Sequence, residues 1–265
     1  MKKQFPIGAW IYHFNIDTIK EKDVIDWVEC GINITLSPVY DEKINKKSKM
    51  IKFLNICKKH GIQIILRDTR SIYDGANKNQ ELYKENFIKA YKDFGSHPAV
   101  FGFYLGDEPS GEELKQDLIF AHKTQLEVAP NLKPFVNFLP HSEKVLKWLD
   151  ETLPNIDIKQ LSYDRYSQMI VKPEENFEYV NHFYENLRLY KEIADKKGVP
   201  LWTTVLSTGH MPYLPVDEDS INWQLNVAVA LGCKSVWWYT IYGFVDQLNY
   251  RKAPINCFNE KTIIN

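Results

Sequence analysis

Paired cysteines are missing from this chain. Cys30, Cys57, Cys233 and Cys257 stand alone, with no CxxC pair and no metal-like spacing. That excludes a disulfide framework or a cysteine-held metal as the organising feature. The four thiols are expected as small buried or half-buried side chains. An excess of either charge is missing too: 33 Lys and Arg oppose 34 Asp and Glu, for a formal net charge of -1. There is no basic footprint for nucleic acid, and Lys46, Lys47, Lys49 and Lys52 read as the solvated face of a helix. No apolar stretch is long enough to span a bilayer, so no membrane partner is expected. None follows residues 1–6 either, so no signal peptide is read. The expectation is a cytoplasmic protein, or a secreted or periplasmic one if a leader had been removed. Low-complexity stretches, a glycine-rich dinucleotide fingerprint and a serine nucleophile elbow are all absent. No cofactor is expected. The spacing of His13, His141 and His210 does not call for a metal.

What the chain does contain is alternation. It has 265 residues, 44% hydrophobic and 25% charged, enough for one large core. Short β-rich runs are read at 7–12, 32–36, 62–66, 100–105, 134–138, 158–163, 200–206 and 235–240. Amphipathic runs separate them, near 19–30, 48–60, 81–94, 112–128, 142–151, 174–197 and 220–231. Val24, Ile25, Trp27 and Val28 make much of the first helix's apolar side, and Gly31, Gly61, Gly198 and Gly232 act as helix stops. Strand–helix alternation predicts a parallel sheet covered by helices. The count and length, near the roughly 250 residues of a (β/α)8 barrel, predict an α/β single-domain TIM barrel over residues 1–265. Its eighth helix is short or missing, because 259–265 is too short to supply one. The competing architecture is an open doubly wound sheet.

In a barrel the residues after each strand converge on one face. The fourth run, Phe101-Gly102-Phe103-Tyr104-Leu105-Gly106-Asp107-Glu108-Pro109, delivers two carboxylates to that face, and Pro109 stops the strand. Around it the strand ends supply Trp10, Tyr12, His13, Arg67, Asn137, Tyr163, Asp164, Tyr166, His210, Trp237, Trp238 and Tyr239. Aromatic rings suit the C–H faces of a sugar, and carboxylates and amides suit its hydroxyls. Glycosidic cleavage needs two carboxyl groups across the bond. Glu108 is read as the general acid/base, with Asp107 and burial as means of raising its pKa. Its alternative is a helix cap or an arginine partner. Asp107 reads equally as structural, accepting from Arg67 or from backbone N–H groups. Asp164 is the candidate second carboxylate, as nucleophile, base or hydroxyl ligand; its alternative is an ion pair with Arg165. Asp246 is held in reserve.

The tip Gly106-Asp107-Glu108-Pro109 resembles the strand-four end of the large clan of (β/α)8 glycoside hydrolases, where Asn-Glu-Pro carries the acid/base glutamate. Leu161-Ser162-Tyr163-Asp164-Arg165-Tyr166, Val236-Trp237-Trp238-Tyr239-Thr240 and the segment from Trp223 to Gly232 are similar to a bacterial, β-galactosidase-like branch of that clan. The resemblance implies a glycosidase acting on a β-linked glycan, galactosides included. Two departures stand out. Asp107 replaces the clan's asparagine. The seventh strand, Leu201-Trp202-Thr203-Thr204-Val205-Leu206 followed by Ser207-Thr208-Gly209-His210, lacks the clan's nucleophile glutamate. Two further readings therefore stand beside the first: a degenerate, non-catalytic carbohydrate-binding barrel, and a metal-dependent barrel hydrolase.

Overall fold

The computed structural model of the chain describes residues 4–11, 15–170, 176–243, 249–255 and 261. Eight strands run in sequence order and close into a barrel, β1 to β8. They are β1 (Ile7–Ala9), β2 (Ile34–Leu36), β3 (Gln63–Leu66), β4 (Val100–Asp107), β5 (Phe135–Phe138), β6 (Leu161–Asp164), β7 (Leu201–Leu206) and β8 (Ser235–Tyr239). Seven helices follow the first seven strands: α1 (Glu21–Glu29), α2 (Lys47–Lys59), α3 (Gln80–Ala90), α4 (Gly111–Val128), α5 (Glu143–Thr152), α6 (Asn176–Lys197) and α7 (Glu218–Ala230). The open-sheet alternative is thereby set aside. Residues 259–265 lie, apart from Lys261, outside the described residues. The chain divides into two compact units, Tyr12–Lys159 and Met1–Ile11 with Gln160–Asn265.

In the Tyr12–Lys159 unit, β2, β3, β4 and β5 pair in parallel in that order. Helix α1 turns Val24 and Trp27 inward, both fully buried, while Ile25 and Val28 remain 38% and 41% exposed. A nine-residue helix presents one stripe, and the i, i+3 pair takes it. Asn79 and Ser142 start α3 and α5 by accepting the N–H of Leu82 and Val145, as N-caps do. Gly31 stops α1 at φ 77°. The expected third helix continues beyond Ala90 as one π turn, Tyr91–Gly95.

Strand β4 runs two residues past its expected end. Phe103 packs edge-on against Phe87 of α3, ring centres 5.0 Å apart, so Phe103 and the fully buried Leu105 face the helices. Tyr104 and Gly106 take the opposite face. There the ring of Tyr73 lies directly on Gly106, and a Cβ at that position would overlap it. The Tyr73 N–H donates to Leu105 O at 2.9 Å.

In the other unit, β6, β7, β8 and β1 pair in parallel. Tyr163 stacks on Tyr190 of α6, centres 4.0 Å apart and planes 7° apart. That contact defines the helix-facing side of β6. Asp217 caps α7 by accepting the Ser220 N–H.

Two outcomes follow from this packing. Gly106→Ala should lower the urea midpoint by the equivalent of about 1–3 kcal/mol, the usual cost of overpacking, measured at unchanged m-value. His122 in α4 is 1% exposed, with no hydrogen-bond partner at either ring nitrogen among the described residues. Burial pushes its pKa down to about 4. The folded chain thus holds it neutral while the unfolded chain, titrating near 6.5, binds the proton first. Stability from this group is complete above about pH 6.5 and is lost as pH falls toward 4, by about 3 kcal/mol. His122→Leu should flatten that part of the stability curve; equal slopes in wild type and variant between pH 7 and 4 would refute it.

Candidate active site

The C-terminal tip of β4 is built by its neighbours. Asn137 of β5 sits in register with Asp107 and is 2% exposed. Its Nδ2 donates to Asp107 Oδ1 at 3.1 Å, and its carbonyl accepts the Glu108 N–H at 2.8 Å. The Tyr73 hydroxyl donates to the Asp107 carbonyl at 3.3 Å. These bonds hold a strained residue: Glu108 has φ 46°, in the left-handed region, which costs a non-glycine residue roughly 1–2 kcal/mol. Asp107 and Glu108 are exposed, and Pro109 behind them is buried. The tip therefore presents two carboxylates on a fixed backbone.

Tyrosine hydroxyls surround it. Burial, then the charge of Asp107, pushes Tyr73 up to about 12. Tyr104 is raised further, by burial first and then by Asp107, with Glu108 adding to it. Both phenols stay protonated at working pH and act as donors. Tyr104 stacks on Phe135, and the Arg67 guanidinium lies 5.8 Å from the Tyr104 ring centre. Arg67, Asp107, Glu108 and Asn137 are thus brought together with Tyr73 and Tyr104, which were not singled out from the sequence. The signal for Tyr104 was the parity of β4, which sets Tyr104 and Gly106 on one face; Tyr73, in the loop after β3, had none. Asp68, after β3, serves another purpose. Fully buried, it receives Nε and Nη2 of Arg70, which also reaches Glu42 and Asp93 and anchors the loop.

In the β6–β8 unit the expected aromatic residues divide into two groups. Trp10, Tyr163 and Trp237 are 2%, 0% and 0% exposed. Trp237 stacks on Trp202 and meets Trp10 edge-on, and Trp10 Nε1 donates to Thr204 Oγ1 at 3.1 Å. Together with Tyr163 under α6, these rings are packing groups rather than faces open to a ligand. The physical reason is size: a strand layer of small Gly8, Thr204 and Ser235 leaves a volume that indoles fill.

The second group gathers at the ends of β6, β7 and β8. His210, 5% exposed, lies among Tyr213, Tyr239 and Tyr250, with ring centres 5.0, 4.9 and 5.7 Å away. Its Nδ1 is 2.9 Å from Thr208 O, so Nδ1 carries the proton and Nε2 is the basic nitrogen. Tyr166 packs on Tyr213 and Tyr239. Tyr213 and Tyr250 belong to loops the sequence reading passed over. Asp164 ends β6, half-buried and in register with Thr204. Arg165 directs Nη2 to His182 Nδ1 at 3.4 Å. Trp238 is half-buried on the next position of β8. Tyr12, His13 and Asp246 lie outside the described residues. Among the described residues, no three His, Cys, Asp or Glu side chains converge as a metal site.

No family model matches the chain, and no curated protein matches it. Solved structures do. A β-galactosidase from Bacillus circulans sp. alkalophilus superposes with a TM-score of 0.71 at 12% identity, over 97% of this chain and 53% of that one. A β-galactosidase from the psychrophilic Marinomonas ef1 gives 0.70 at 9% identity, over 97% and 57%. The chain thus spans just over half the length of these two enzymes. The intracellular xylanase from Thermoanaerobacterium saccharolyticum gives 0.62 at 15% identity, over 98% and 94%. At such identities the likeness is one of fold: this chain is a (β/α)8 barrel of the kind on which several bacterial sugar-acting hydrolases are built.

Proposed function

We propose that the chain is a glycoside hydrolase acting on a β-linked glycan, with galactosides the first class to test, and that Glu108 is its general acid/base. The observation that carries this reading is the backbone of Glu108. A residue at φ 46°, exposed at a strand tip and held through its N–H by the Asn137 carbonyl, is strained, and such strain gathers at functional sites. In this role the protonated Glu108 carboxyl gives its proton to the leaving-group oxygen as the glycosidic bond breaks. The resulting carboxylate then takes a proton from the incoming water. Tyr104 near the tip offers a donor for a sugar hydroxyl, Asp107, fixed by Asn137, offers an acceptor, and Tyr73 spends its one proton on the Asp107 carbonyl and so holds the tip.

The second carboxylate is assigned to Asp164 at the end of β6. Strand β7 is followed by Ser207, Thr208, Gly209 and His210, and neither it nor they supply a carboxylate. That absence favours one alternative, a barrel that holds glycans without cutting them.

Glu108→Gln should lower kcat/KM by about 10²- to 10⁴-fold on glycosides with poor leaving groups, and far less on dinitrophenyl glycosides, whose departure needs no proton, while kcat falls for both because the base for the incoming water is lost. Undiminished turnover of an ordinary glycoside by this variant would remove Glu108 from the mechanism. Asp164→Asn should lower kcat for both leaving-group classes alike; a change confined to KM would assign Asp164 to substrate binding. Binding of oligosaccharides with no release of reducing ends, across a broad panel, would decide for the non-cleaving barrel.

A further inference from the structure

On the outer side of the β6–β8 unit, a hollow of about 550 Å³ opens between α6 and α7. Its roof is Gln168, Leu214 and Pro215; its wall is Trp223; its rim carries Asp217 and Asp219. A second hollow of about 280 Å³ lies farther along the same two helices, beside Asn181, Tyr184, Glu185 and Arg188. The rings of Trp223 and Tyr184 meet edge-on between them, centres 6.0 Å apart. Helical spacing aligns the two hollows. Asn181, Tyr184, Glu185 and Arg188 share one stripe of α6, and Trp223 of α7 lies eight residues before that helix's C-cap, Leu231. Eight residues span about 12 Å of helix.

The groove is preformed. The loops after β6 and β7 are laced antiparallel at Met169 and Tyr213. Ile170 N–H donates to Pro212 O at 2.6 Å, and Leu214 N–H to Gln168 O at 2.8 Å. Arg251 Nη2 holds the Tyr213 carbonyl at 2.6 Å. Phe183 braces Trp223 from α6, centres 5.0 Å apart. Trp223 and Tyr184 remain half-buried.

We propose that this groove binds a neutral oligosaccharide, as a glycan contact separate from the tip of β4. An aromatic wall with Leu214 and Pro215 suits the C–H faces of sugar rings. Carboxylates and carboxamides along the rim suit hydroxyls. Among the described residues the lining of the larger hollow has two carboxylates and no cation, and Lys252, near enough for its charge to act on Asp217, offsets only one of them, which disfavours acidic glycans; Glu185 and Arg188 balance one another in the smaller. The larger volume lies within the 300–1,000 Å³ usual for small ligands, and two hollows along the same pair of helices suit a chain rather than a single ring. The inference stands whether or not Glu108 is catalytic.

The test is the ¹⁵N indole spectrum of the full chain, whose seven tryptophans give separable signals, with Trp223 assigned from Trp223→Phe. The probes are neutral galacto-, xylo- and cello-oligosaccharides, with chitosan and polygalacturonate oligomers as cationic and anionic counterparts. The Trp223 signal should move saturably with at least one neutral series. Trp223→Ala should weaken that binding by about five- to tenfold, the worth of one aromatic contact. Should that variant unfold, Gln168→Ala combined with Asp219→Ala should weaken it several-fold instead. A Trp223 signal unmoved by every neutral series, or moved only by a charged one, would overturn the proposal. A shift that persists at wild-type affinity in the folded groove variants would do the same.

Discussion

The ring of Tyr73 resting on the bare Cα of Gly106 is the contact on which the tip of β4 depends. Only glycine leaves room for it. With the ring in place, Tyr73 bonds the carbonyls of Leu105 and Asp107, and the strand stays extended two residues past the point where its apolar run ends. Asn137 then meets Asp107 in register and receives the Glu108 N–H. The left-handed Glu108 is the sum of these restraints. Neither carboxylate is buried, so their presentation rests on the bonds of the backbone beneath them and, for Asp107, on the Asn137 amide.

The β6–β8 unit solves a different problem, filling a strand layer whose own side chains are small. Trp10, Trp202 and Trp237 do this, and the result is an apolar plug on the face opposite the helices. Above it the loops after β6, β7 and β8 are bound to one another by short antiparallel bridges at Met169 with Tyr213 and at Gly209 with Arg251. Irregular backbone is usually the most mobile part of a barrel. Here its N–H and C=O groups bond across loops, which is why His210 can sit enclosed by tyrosines from three separate segments.

Much of the fold was legible from periodicity and punctuation. The alternation of β-rich and amphipathic runs marks all eight strands and seven helices, because a parallel strand must be apolar and a covering helix must be two-faced. Capping residues such as Asp217 act locally, so they too could be read directly. Asp107, Glu108 and Asn137 could be placed together because strand ends converge by topology. Tyr73 and Tyr104 could not be assigned to the tip from composition: one sits in a loop of unspecified course, and the other needed the parity of β4. The Trp-rich β8 misled for a related reason. An indole offered to a sugar and an indole filling a core have the same sequence signature, and only a neighbour such as Trp202 stacked upon it tells them apart.

By itself, then, the sequence determined the barrel and the residue types at its strand ends, since both follow from short-range pattern and chain order. It also determined that β7 brings no carboxylate to its end. The tertiary structure alone decided which rings are buried and which stay open, that Asp68 is held by Arg70, that Glu108 adopts a left-handed backbone, and that a groove lies between α6 and α7. Those depend on which side chain occupies which space, and space is shared between residues far apart in the chain.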